Sequence, residues 1–69
     1  MTVEELLKQL ERERKYEMVD VWEYGSRAQE AINHDDYDEA KEYQKIHDES
    51  YKRVEQLDMI IKEIKKRVS

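Results

Sequence analysis

The sequence predicts an all-α fold: an antiparallel two-helix hairpin, about 3–33 and 37–67, that dimerises into a four-helix bundle. Three observations predict it. A stop-and-start signal, Asn33-His34-Asp35-Asp36, sits near the midpoint of the chain. Apolar residues on either side recur at helical spacing over stretches of matched length. There is no proline and only one glycine, so neither stretch carries a forced break. With 69 residues the chain is one domain, residues 1–69. A chain this short buries only about 60% of its unfolded surface. The absence of cysteine removes disulfides and thiolate zinc sites, so regular helix packing and assembly are left to supply stability.

The first helix opens at Thr2, which with Glu5 forms a capping box. Val3, Leu7, Leu10, Arg14, Met18, Val21, Gly25, Ala28 and Ile32 then follow at steps of three and four. This is one face of a helix, widened by Leu6, Trp22 and Ala31. The steps drift toward an eleven-residue repeat, the pattern of a nearly straight or slightly right-handed helix. Gly25 falls inside the stripe, where glycine costs about 1 kcal/mol against alanine. A close contact with a bulky partner on the second helix is the expected compensation.

At the corner, Asn33 is expected to take the left-handed backbone that ends a helix. Asp36 is expected to cap the next one, with Glu39 completing an Asp-x-x-Glu capping box. The second helix carries a heptad stripe, Ala40, Tyr43, His47, Ser50, Val54, Leu57, Ile61, Ile64 and Val68, flanked by Ile46, Tyr51 and Ile60. Lys62, Lys65, Lys66 and Arg67 lie in its last turns, where cations favour the negative end of the helix dipole. Each arm spans roughly 46 Å at 1.5 Å per residue.

Folding at the corner brings level those positions whose numbers sum to about 70. Val3 then meets Val68, Leu7 meets Ile64, and Leu10 meets Ile61. Gly25 meets Tyr43 and His47, a small residue against large rings. Glu4 and Glu5 come near Lys65, Lys66 and Arg67. Leu6, Val19, Trp22, Tyr24, Ile46, Tyr51 and Ile60 broaden the apolar face beyond what one seam covers, which is the reason to expect association.

No signature of catalysis, cofactor or metal binding stands out. His34, Asp35, Asp36 and Asp38 match no calcium-loop spacing. Gln44 before His47 and Ala31 before His34 fail the Glu-x-x-His pattern of di-iron bundles. His47, on the apolar stripe, is expected to bond to tyrosine, serine or water, with a pH-sensitive switch as the other reading. No apolar run approaches the roughly 20 residues that span a bilayer. The opening Met1-Thr2-Val3-Glu4-Glu5 has none of the basic and apolar regions of a signal peptide, so a cytoplasmic protein is expected. The net charge of −5 argues against direct nucleic-acid binding, which needs a cationic surface.

Two surfaces remain as candidates. Trp22, Tyr24, Tyr43 and Tyr51 make an aromatic centre suited to anchoring a protein partner, with Arg14 placed to grip a partner carboxylate or to snorkel toward Glu17, Glu55 or Asp58. Asp35, Asp36, Asp38, Glu39 and Glu42 concentrate acid at the turn. Such a cluster is either a solvated face or a surface that imitates phosphates and blocks a nucleic-acid-binding or defence protein, as small acidic phage inhibitors do. The expected function is therefore a small non-enzymatic protein–protein interaction module, pairing with itself and with another protein; the acidic inhibitor is the alternative.

Asp36-Tyr37-Asp38-Glu39-Ala40 followed by Tyr43 resembles the corner of helical-hairpin interaction modules: the UVR motif of excision-repair proteins, tetratricopeptide repeats and MIT hairpins. All three resemblances imply binding between proteins. Glu55-Gln56-Leu57-Asp58 resembles the Ser-Gln-x-Leu-Asp helix of small aspartyl-phosphate phosphatases of sporulation, with Val54 standing where that family has serine. That likeness implies that Gln56 and Asp58 would touch a response regulator.

Overall fold

The computed structural model describes residues 1–68. Two helices, α1 (Val3–Asn33) and α2 (Tyr37–Val68), run antiparallel and pack against each other, with no strand among the described residues. The resulting rod measures 50 × 15 × 14 Å.

Local chemistry sets both ends of α1 and the start of α2. The Thr2 hydroxyl accepts the Glu5 N–H at 3.1 Å and so caps α1. At the other end, the Asp36 N–H donates to Ala31 O at 2.8 Å and the Asp35 N–H to Ile32 O at 3.0 Å. These two bonds form a Schellman motif, in which the residue after the cap must turn left-handed. That residue is Asp35, with φ 61°, and not Asn33, which stays in the last helical turn. The expectation for Asn33 misplaced the stop because α1 continues until its final carbonyls meet the N–H groups of Asp35 and Asp36. Aspartate tolerates this backbone better than most residues, and the Asp35 carboxylate accepts the Tyr37 hydroxyl at 3.2 Å. The next residue already starts α2: the Asp36 carboxylate accepts the Glu39 N–H at 3.2 Å. Stop and start thus share His34, Asp35 and Asp36.

Side-chain size along the seam changes from one end to the other. Near the turn the buried residues are Ala28, Ala31 and Ala40, which let the two backbones approach closely. The middle holds Val21, Ser50 and Val54, and Ile61 lies toward the open end. Ser50 is the most buried side chain, 1% exposed, and its hydroxyl accepts a bond from Arg53 Nη2 at 3.3 Å. The stripe read from the sequence is corrected at its extremities. Val3 and Val68 are exposed, and Ile32 is exposed where Ala31 is buried in its place. Close approach at the turn selects the alanine, and the 100° between neighbouring positions carries Ile32 out of the seam.

Pairs across the seam keep a nearly constant sum. Arg14 pairs with Asp58, Gly25 faces His47, and Glu17 lies 3.0 Å from Arg53. A Cβ on Gly25 would sit 3.3 Å from His47 Cδ2, so the glycine makes room for the imidazole as expected. The basic end of α2 pairs differently from expectation: Lys65 binds Glu11 at 3.2 Å and Arg67 binds Glu63, one turn back on its own helix. No helix among the described residues is long and apolar enough to cross a membrane.

Candidate interaction surfaces

The seam divides the rod into two flanks, and the four aromatic candidates do not share one. Gly25 and His47 face each other on the first flank. Trp22 lies three residues before Gly25, and Tyr51 four residues after His47. In antiparallel helices both steps run toward the open end and stay on one face. Trp22 and Tyr51 therefore lie level on this flank. Tyr51 stacks on His47 with ring centroids 6.3 Å apart and an interplanar angle of 16°. Trp22 is 67% exposed, Tyr51 47%, and among the described residues no other ring packs on the indole.

Tyr24, one residue before Gly25, turns about 100° to the second flank. There it meets Tyr43, centroids 6.0 Å apart. The Arg27 guanidinium lies over both rings, 5.4 Å from the Tyr24 centroid and 5.9 Å from that of Tyr43, within cation–π range. Arg27 also pairs with Glu23 at 2.7 Å. The Glu39 carboxylate bonds to the Tyr43 hydroxyl and its charge repels the phenolate, so Tyr43 titrates above the usual tyrosine range despite the opposing pull of Arg27. Further toward the open end, Tyr16, Leu57 and Ile60 line a shallow groove together with Glu17 and Arg53. Glu17 Oε2 is shut off from solvent and held against Arg53 by charge, without a directed hydrogen bond.

Arg14 is tied up within the molecule. Of the three carboxylates within its sequence reach it takes Asp58, across the seam on the Trp22 flank. Both residues of that pair remain partly exposed. Gln56, two residues before Asp58, projects to the other flank and lines the Tyr16 groove. His47 neither touches the core serine nor stands alone: its Nδ1 lies 3.0 Å from Asp48 Oδ1 and 3.4 Å from Gln44 Nε2. Those bonds, with one from Gln44 to Asp48, hold the Asp48 carboxyl below the usual carboxylate range.

The acidic residues at the turn, Asp35, Asp36, Asp38, Glu39 and Glu42, are all exposed. Three are already engaged locally: Asp36 caps α2, Asp35 holds Tyr37, and Glu39 faces Tyr43. Among the described residues no group of histidines and carboxylates is arranged to hold a metal ion. Sequence reasoning missed Arg27 and Arg53, the two cations that organise the second flank. A signal was present, since Arg27 follows Tyr24 by three residues and its number sums with that of Tyr43 to the constant of the seam. Comparison with protein-family models, with curated proteins and with solved structures found no match to this chain.

Proposed function

We propose that this chain is a non-enzymatic protein–protein interaction module that binds through the apolar face carrying Trp22 and Tyr51, and that two hairpins associate into a four-helix bundle. The observation that carries this reading is the indole of Trp22, two-thirds in water on a rod only 15 Å thick. Tryptophan and tyrosine are the residues that most often supply the energy of an interface. Neither side chain is needed to hold the two helices together, because the seam is closed by Val21, Ala28, Ser50, Val54 and Ile61. The test compares the native chain with Trp22→Ala in capture of partners from a lysate, with helical content followed by circular dichroism. The variant should keep its helices and lose at least tenfold in partner affinity. Retention of all captured partners by Trp22→Ala would remove the reading.

A second reading, the acidic inhibitor, is favoured by the charge at the turn. Residues 28–42 hold six carboxylates against Lys41 alone. A basic groove built for phosphates would accept this end through electrostatic complementarity. Reversal at Asp35, Asp38 and Glu42 separates the two readings and leaves the Asp36 cap intact. It should abolish binding of a mimic and spare binding through Trp22.

A further inference from the structure

We infer that the Trp22–Tyr51 flank is covered by a second copy of this chain lying antiparallel to the first, with the twofold axis crossing the rods near Tyr51. The inference rests on the proposed self-association and deepens it by fixing the face, the direction and the register.

Surface area is the first argument. The hairpin exposes 5687 Å². A compact protein of 8.5 kDa exposes about 4,700 Å². The excess, about 1,000 Å², is close to the ~800 Å² that each partner commits to a stable interface. A rod with a 15 × 14 Å section has this excess along its sides and not at its tips.

Charge gives the direction. Residues 28–42, at the turn, carry a net −5, while residues 1–8 and 62–68, at the open end, carry a net +2. Parallel copies would set the two acidic ends side by side within roughly a Debye length, 10 Å at 0.1 M salt. Antiparallel copies set each acidic end against a basic one.

Position gives the register. Trp22 lies four residues from the centre of α1, about 6 Å along the axis. A twofold axis beside it overlaps nearly the full length of both rods. Tyr51 then meets its own counterpart, Trp22 meets Val19 of the second copy, and Lys8 comes level with Asn33 of the second copy. An axis in the Tyr16–Ile60 groove would sit nearer the open end and leave both acidic turns overhanging without a partner.

The chain has no native cysteine, so single thiols report the geometry cleanly. Sedimentation should show a dimer that Trp22→Ala and Tyr51→Ala each convert to monomer with helical content retained. Tyr16→Ala and Ile60→Ala should leave the dimer in place. A mixture of Lys8→Cys and Asn33→Cys chains should cross-link with a short bifunctional reagent, whereas Asn33→Cys alone should not. Cross-linking by Asn33→Cys alone would establish a parallel pair and overturn the inference. A dimer broken by Tyr16→Ala and not by Trp22→Ala would overturn the choice of face. A monomer at all concentrations would overturn the inference entirely, yet leave the interaction module standing if Trp22→Ala still lost captured partners.

Discussion

Tyr24 and Tyr43 on one flank, and Trp22 and Tyr51 on the other, are the same kind of residue on neighbouring turns of the same rod. The first pair is closed within the chain. Its rings meet at 6.0 Å, Arg27 covers them, and Glu39 takes the Tyr43 hydroxyl. The second pair is open. Tyr51 leans on His47, and the indole is left to water. The difference teaches that an aromatic residue at helical spacing belongs to the fold only when a partner across the seam and a polar group for its tip are both supplied. Where they are not, its apolar area is held for something outside the chain.

The largest effect that sharpens this contrast should come from Tyr43→Ala set beside Tyr51→Ala. At a concentration where the chain is monomeric, Tyr43→Ala should lower stability by about 2 kcal/mol, a half-buried share of the usual aromatic-to-alanine cost. Tyr51→Ala should stay within about 0.5 kcal/mol, as expected of a surface position. Urea unfolding followed by circular dichroism measures both. Equal losses would erase the distinction between the flanks. Next in size, Arg27→Ala should cost about 0.5–1 kcal/mol through the lost cation–π contact, in the same assay. It should not alter association.

Gly25→Ala probes the open flank more gently. Alanine gains about 1 kcal/mol of helix propensity. The new methyl sits 3.3 Å from His47, at the edge of the seam, and the ring need give by only a few tenths of an ångström. A small net stabilisation is expected; a loss above about 1 kcal/mol would show that His47 is fixed by the seam. The smallest effects are titrations. The Asp48 carboxyl is depressed by His47 and Gln44. Its contribution is present above the unfolded carboxyl pKa and lost as pH falls through the depressed folded value. Tyr43 is raised, so its contribution is full below the unfolded tyrosine pKa and lost as pH rises through the raised folded value. Carboxyl chemical shifts and tyrosinate absorbance read these two directly, and Arg27→Ala should raise Tyr43 further.

Much of the candidate site was legible, but in pieces. Gly25 against His47 followed from folding the numbering at the corner, because a rigid antiparallel pair leaves one free register. The choice of Asp58 over Glu17 and Glu55 by Arg14 did not follow, since all three lie within reach of a long flexible side chain. The split of the aromatic centre was equally hidden. Neighbouring positions differ by 100° around a helix, so a modest rotation of α1 about its axis decides which flank takes Tyr24 and which takes Trp22.

The amino-acid order by itself determined the two helices, the three-residue corner between them and their pairing level by level. Those features depend on caps, turn chemistry and a repeat of three and four, all of which act within a few residues. Which rings close on each other, which cation covers them and which indole stays wet was decided only when the helices met. The alanines at the turn and the glycine opposite His47 set the rotation of one rod against the other. No local pattern encodes that rotation; it is the compromise of every contact along the seam at once.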